Sequence, residues 1–469
     1  MSAPVESPRT EDAPRTTVDG GGDAVDVRRV WRLWAPLAAS WLLMAMEPTL
    51  VYAAVSRLEG AKITLAAWAS VVFPVSLVVE GPIIMLLAAT TRLASTWDRY
   101  ARVMRYGNAM SAALTALHAA IAFTPLYDWV AVDVLGSAPE VVEPGRLGLR
   151  IMLPWTFAIG YRRAQQGTLI RFEKSAVVSQ GTALRLLVTA SVLFGLPPLF
   201  PGAPGIAVAG LGVAAGVSSE AIFAGVRVRS VWPALRAAAD DDPEPMTLRR
   251  FARFYGPLAV TPLITLLIQP IGASAMNRMP RSLDSVAAWG PIHALVFTAR
   301  SVGMAFNEVV VTLVALPGGA RALVRFGVGL GAATSLFVLV VWTTPLAGLW
   351  FERVQGIPSD LVPLATLGVA LATVMPAYQV AQSWFQGLLV HRETTRPITE
   401  AVALYFIVAS TLLWLGTERA DAFGATGVAW AVGSFVVAGI VQTGWLWLRS
   451  RQGRPAAAAA EALTARTPG

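Results

Sequence analysis

The chain has 469 residues, 55% of them hydrophobic and only 14% charged, against about 25% charged in an ordinary soluble domain. It has no cysteine and three histidines, His118, His293 and His391, which excludes disulfides, thiolate metal sites and cysteine nucleophiles. The net charge of +8 sits in arginines and lysines clustered at the ends of apolar runs, where they read as topology signals and not as a nucleic-acid surface.

Residues 1–27 are rich in Pro, Asp, Thr and Gly and lack the apolar core of a signal peptide, so they read as a disordered tail. Six apolar runs follow, at roughly 31–56, 63–91, 103–124, 147–168, 176–197 and 205–227. Residues 230–248, SVWPALRAAADDDPEPMTL, are acidic and proline-bearing and read as a solvated linker. Six more runs occupy roughly 252–277, 286–314, 321–343, 361–385, 397–416 and 424–448, and residues 450–469 read as a second tail. Runs of this length cross about 30 Å of hydrocarbon as helices. None alternates with the period of two that a membrane β-strand needs. The expected fold is an all-α polytopic membrane protein of twelve spans.

The halves repeat. RRVWRLWAPLA at 28–38 returns as RRFARFYGPLA at 249–259, 221 positions on. LAAW at 65–68 matches VAAW at 286–289, and QGTLIRFEKSAVV at 166–178 matches QGLLVHRETTRPI at 386–398. TPLYDWVAVDVLG from Thr124 matches TPLAGLWFERVQG from Thr344, and GIAVAGLGVAAG from Gly205 matches GATGVAWAVGS from Gly424. A chance recurrence of apolar words would not keep the offset. Two six-helix lobes, 28–229 and 249–449, are therefore expected to be pseudo-equivalent, with a substrate path between them.

One set of loops gathers most of the basic residues, including Arg28, Arg29, Arg92, Arg99, Arg105, Arg162, Arg163, Arg171, Arg249, Arg250, Arg325 and Arg449. The other set carries only Arg57, Lys62, Arg146, Arg150, Arg278, Arg281, Arg353 and Arg419. The first set, with both termini, is assigned to the cytoplasm of a cell membrane.

Ionisable residues inside spans are costly, about 2.5–3.5 kcal/mol on insertion scales, so each is a functional candidate. Glu47 precedes Pro48 in the first span, and Gln269–Pro270 stands in the seventh, one residue out of register. The proline bends the helix and frees a carbonyl, which suits a proton or cation site; a hydrogen-bonded structural glutamate is the other reading. Glu80 in the second span and Arg300 in the eighth occupy nearly equivalent depths with opposite charge. They are expected either to pair across the cleft in one state or to be neutralised within their own lobes. Arg300, Met304 and Glu308 share one helical stripe, and Asn307 lies beside it. Glu220 lies in the sixth span. Arg185, in the fifth, reads as reaching the interface, and His118 and His293 as packed core residues. No phosphate-binding loop, HExxH or GxSxG motif occurs, so neither an enzyme nor a cofactor is expected.

Six spans plus six, each half opened by PLA, resemble the MATE fold of the multidrug, oligosaccharide-lipid and polysaccharide exporter superfamily. The stretch 132–155, VDVLGSAPEVVEPGRLGLRIMLPW, is similar to that family's link from third to fourth span, and 166–178 to its link from fourth to fifth. PLAASWLLMAMEPTLVYAAVSR at 36–57 and FYGPLAVTPLITLLIQPIGASAMNR at 254–278 also resemble the progressive ankylosis family, a group associated with organic-anion export. The resemblance implies two lobes in a V with alternating access. Proton-coupled members carry an acid in the first span, which maps onto Glu47. Sodium-coupled members use carboxylates in spans seven and eight, where only Glu308 stands here, so protons are preferred to sodium. The expected protein is a monomeric secondary exporter of a small organic ion or amphipathic compound, its partners the substrate, the coupling ion and the bilayer. A lipid-linked precursor flippase and a non-transport scaffold are the alternatives.

Overall fold

The structure, a computed structural model, describes residues 24–239 and 244–452. The two tails fall largely outside these residues, as does the acidic centre of the linker. In the first half the chain folds into α1 (Val27–Val55), α2 (Ala61–Leu93), α3 (Trp97–Phe123), α4 (Pro139–Arg171), α5 (Ser175–Leu199) and α6 (Gly205–Ala237). The second half gives α7 (Leu248–Asn277), α8 (Ser282–Leu313), α9 (Gly319–Thr343), α10 (Ser359–His391), α11 (Arg396–Arg419) and α12 (Gly427–Gln452). Ten of these are long and apolar enough to span a membrane on their own, and α3 joins them when counted with a segment bent 86° from it. The remaining helix, α4, runs 33 residues but carries many charged and polar side chains along its length. Among the described residues the twelve expected spans are thus twelve long helical segments.

The duplication reaches backbone detail. The side chains of Asp26 and Thr247, 221 apart, accept from the third residue on and cap α1 and α7. Wide π turns occupy Trp129–Val134 and Leu349–Val354. Glu173 and Glu393, each between the fourth and fifth helices of its half, both adopt positive φ. Gly205 opens α6 against the Thr64 hydroxyl, and Gly427 opens α12 against that of Ser285. The last pair moves the register of the final helix: Gly205 corresponds to Gly427, not to Gly424.

Two seams join the lobes. On the side of the termini α1 docks on the second lobe, with Trp34 Nε1 donating 2.9 Å to the carbonyl of Val302 and its ring edge-on to Phe326. Val25 is buried there and its amide donates to the Pro317 carbonyl at 2.8 Å, so the ordered chain begins before the expected boundary at 28. The α7 helix docks on the first lobe, where the Tyr255 hydroxyl donates to the Pro82 carbonyl. The linker, expected to be solvated, begins with a short helix at Trp232–Ala237.

On the opposite face the lobes are clasped twice, by the same device. Arg57, just past α1, donates to the carbonyls of Arg353 and Val354 at 2.6 and 3.0 Å. Arg278, 221 positions on and just past α7, donates to those of Asp133 and Val134 at 2.8 and 3.1 Å. Each guanidinium thus caps the open carbonyls of the π turn in the other lobe, where a cation is favoured. Lys62 adds ion pairs to Asp284, at 2.8 Å, and to Asp360. The approach requires glycine: a Cβ on Gly136 or Gly356 would stand 3.0 Å from the arginine it faces, at φ of +64° and +70°. The left-handed backbone alone costs a side chain about 1–2 kcal/mol. Gly136→Ala and Gly356→Ala are therefore each expected to lower the unfolding temperature of the purified protein. Gly424→Ala, at positive φ but with nothing within 4 Å of the added atom, should cost less in the same thermal scan.

A candidate transport site between the lobes

The two lobes enclose a cavity of about 540 Å³, within the roughly 300–1,000 Å³ range of small-molecule sites. Its first-lobe wall includes Glu47, Tyr52, Trp68 and Phe73; its second-lobe wall includes Gln269, Trp289, His293, Arg300, Tyr378, Gln382, Tyr405 and Gln442. Trp68 and Trp289 are the equivalent tryptophans of the two AAW repeats. His293, expected as packed core, faces this cavity and stacks on Phe297 with ring centres 5.8 Å apart.

Glu47 enters from α1, one residue before Pro48. Its Oε2 lies 3.3 Å from Arg185 Nη2, while its Oε1 is buried and has no hydrogen-bond partner among the described residues. Arg185 is itself buried. The reading that it reaches the interface is therefore wrong: a carboxylate on each side holds it inside the lobe.

The second carboxylate is Glu220, fully sealed at 0% exposure. Arg162 Nη1 donates to it at 2.5 Å, Gln166 Nε2 at 2.9 Å and the Thr182 hydroxyl at 3.3 Å, and Arg185 Nε stands at 3.7 Å. Arg162 and Arg163 do not belong to a loop, as the charge count supposed, because α4 continues to Arg171 and carries Arg162 into the lobe interior. Glu80 is also buried; it is absent from the cavity wall, its Oε2 has no partner, and the cations that act on it are Arg163, Arg162 and Arg185. Three carboxylates and three guanidiniums thus share the interior of the first lobe.

Arg300 lies across the cavity. Its Nη2 donates to Gln379 Oε1 at 2.7 Å, its guanidinium carbon sits 5.8 Å from the centre of the Tyr378 ring, and its Nε is buried without a partner. The expected pairing with Glu80 is not formed in this conformation: each charge is engaged within its own lobe. The stripe from Arg300 continues to Met304 in the cavity, but Glu308 beyond it is exposed. Glu308 stands one turn beyond Met304, where the cavity wall has ended, so it does not share a groove with Arg300. Asn307 pins α8 to α10 by donating to the Ser383 carbonyl at 3.2 Å. His118 does pack in the core, against the Thr156 hydroxyl at 2.7 Å. Among the described residues no group of His, Cys, Asp or Glu side chains could hold a metal ion.

Sequence reading missed Arg162, Tyr405, Gln382 and Gln442. The 220-residue offset contained the signal for three of them, since it sets Arg162 against Gln382 and Arg185 against Tyr405; Gln442 needs the offset of 222 that the structure shows for the last helices.

No protein-family model matches the chain, and no curated protein matches its sequence. Solved structures do match its fold. The eukaryotic MATE transporter AtDTX14 aligns at TM-score 0.64 and 12% identity, covering 91% of this chain and 96% of that one. The lipid II flippase MurJ, in an inward closed conformation, aligns at 0.65 and 13%, covering 89% and 88%. A transporter of the MOP superfamily from Pyrococcus furiosus, described as having a binding pocket of reverse polarity, aligns at 0.57 and 16%, covering 91% and 96%. At such identities the likeness is one of fold: the chain has the MATE-like architecture of the MOP superfamily, two lobes of six helices around a central cavity.

The ion cluster gives a stability test. Breaking a buried pair by removing one partner typically costs about 3–5 kcal/mol, whereas replacing both can be nearly neutral. Glu220→Leu is therefore expected to lower the yield of folded protein sharply. The double variant Arg162→Gln, Glu220→Gln copies the pair Gln382 and Gln442 found at the equivalent place in the second lobe, and size-exclusion profiles should show it recovering most of the loss.

Proposed function

We propose that the protein is a secondary active transporter working by alternating access, with the interlobe cavity as its substrate site and Glu47 as its coupling carboxyl. The observation that carries this reading is the convergence of one acid from the first lobe and one arginine from the second on a single cavity of ligand size. A scaffold has no need of such a cavity. Lobes joined by matched, symmetric clasps are built to separate on one face while they hold on the other. The arginine-rich loops favour a cytoplasmic side for both termini, and on that topology the distal clasps face outward.

Protons are the coupling ion on this reading. The α7 helix has no acid between Phe251 and Met279, and Glu47 is the cavity's carboxylate. Arg185 already answers its charge, while Arg300 meets only the neutral Gln379 and Tyr378. The unmatched charge of the cavity is therefore positive, and a small organic ion bearing an anionic group suits it better than a cationic drug. The reverse-polarity pocket described for the Pyrococcus furiosus protein is consistent with such a departure within the fold. A flippase needs a lateral opening for a lipid tail, and here the α1–α8 seam is bridged by Trp34 and Val302.

Proteoliposomes loaded with a pH-sensitive dye and given a panel of small organic anions and cations test this. Wild-type protein should move protons with an anionic member of the panel. Glu47→Gln should fold, keep binding and lose at least ten-fold in proton-coupled uptake, whereas Arg300→Gln should raise KM for the anion. Full proton-coupled transport by Glu47→Gln would remove Glu47 from the mechanism, and sodium dependence in place of pH dependence would overturn the choice of ion.

A further inference from the structure

The duplication permits a comparison of the two lobes position by position. The matched Gln166–Gly167 and Gln386–Gly387 dipeptides fix an offset of 220 through the fourth helices, and Glu173 and Glu393 carry it to the fifth. Arg162 therefore corresponds to Gln382, and Arg185 to Tyr405. Gly205 and Gly427 fix an offset of 222 in the last helices, so Glu220 corresponds to Gln442. The contact itself is preserved: Arg162 Nη1 donates to Glu220 Oε2, and Gln382 Nε2 donates to Gln442 Oε1 at 3.2 Å. The first lobe has an ion cluster here. The second has a neutral amide pair in the same geometry, beside the hydroxyl of Tyr405.

The two versions differ in where their polar atoms point. In the first lobe the groups turn inward onto the sealed Glu220. In the second, Gln382 Nε2 is taken up by the Gly439 carbonyl, the Thr443 hydroxyl and Gln442. That leaves the Gln442 Nε2, the Tyr405 hydroxyl and the Gln269 amide with no protein hydrogen bond among the described residues, and all three side chains are half-buried and line the cavity. Half-buried donors without partners are satisfied by water or by a ligand.

We propose that Gln269, Tyr405 and Gln442 form a substrate subsite for uncharged, oxygen-rich groups (hydroxyl, ether or carbonyl oxygens), created when the second lobe lost the ion cluster that the first retains. All three side chains present donors, and oxygen acceptors on a ligand match them. Trp289 and Tyr378, in the same wall, supply flat apolar faces for the carbon skeleton that carries those oxygens. The subsite deepens the transport reading, since it adds uncharged donors to the second-lobe wall that also carries Arg300. None of the three residues carries a charge, so the subsite itself offers hydrogen bonds and not ion pairs.

The test is calorimetric binding of phenyl β-glucoside, and of its monodeoxy analogues, to the full-length protein in lipid nanodiscs. This probe combines a flat apolar ring with uncharged oxygens and requires no transport. Wild-type protein should bind it. Tyr405→Phe and Gln442→Leu should each weaken Kd about tenfold, the usual scale of one ligand hydrogen bond. Tyr405→Phe removes an oxygen that no protein group holds, so its thermal unfolding should be unchanged. At least one deoxy analogue should bind wild type and Tyr405→Phe equally, which identifies the partner oxygen. Absence of binding to wild type, or Kd values that both variants leave unchanged, would overturn the subsite. Binding that behaves as described in a protein that moves no solute in vesicles would overturn the transport reading and leave the subsite standing.

Discussion

A carboxylate with no exposure, inside a lobe that is itself surrounded by lipid, persists only if cations and hydrogen bonds replace the water it has lost. Glu220 is that carboxylate, and much of the chemistry of this protein follows from the groups that surround it. Arg162 and Gln166 come from successive turns of α4, Thr182 and Arg185 from α5, and all four converge on two oxygens. Arg185 is shared with Glu47, so the acid that faces the cavity is tied to the acid that does not. A change of charge at Glu47 is therefore felt by Arg185, and through it at the closure of the α4–α5–α6 bundle. On the proposed reading, a proton taken up at Glu47 acts on helix packing and not only on local charge.

The same network decides the electrical character of the cavity. With Glu47 matched by Arg185, the first-lobe wall carries no net charge toward the cavity. Arg300 then dominates, because its neighbours Gln379 and Tyr378 are neutral. The polarity of the site is thus fixed from the opposite lobe by a residue that never enters the ligand space. This is the sense in which the fold alone is silent about substrate: two proteins sharing these twelve helices differ in polarity by where one arginine is spent.

The repeat and the twelve helices were legible in sequence because they rest on length, apolarity and offset, which survive without knowledge of packing. The chemistry was less legible for a physical reason. Hydropathy assigns an arginine near the end of a span to the interface, since that is where an unpaired one must go. Arg162 and Arg185 are exceptions because a carboxylate awaits each inside the lobe, and pairing between α4, α5 and α6 is a tertiary fact. Glu308 errs the other way. The i, i+4 stripe from Arg300 holds as far as Met304, but the cavity ends there and Glu308, one turn on, is exposed. His293 shows a third limit, since a cavity wall and a packed core look alike in a one-dimensional pattern.

Duplication also explains how one protein keeps mechanical symmetry while dividing its chemistry. The clasps made by Arg57 and Arg278 match to the carbonyl, and so do the caps at Asp26 and Thr247. These contacts are made to backbone, which mutation does not alter, so both halves retain them. The interior of each lobe is made of side chains and was free to diverge. A charged pair and an amide pair of similar reach occupy the same helices at Arg162–Glu220 and Gln382–Gln442, and the exchange leaves the helix packing standing because both partners changed together. Losing either partner alone would leave a buried charge unanswered. Divergence between the lobes therefore had to proceed by pairs: where the first lobe seals Arg162 against Glu220, the second presents Gln382 and Gln442 to the cavity.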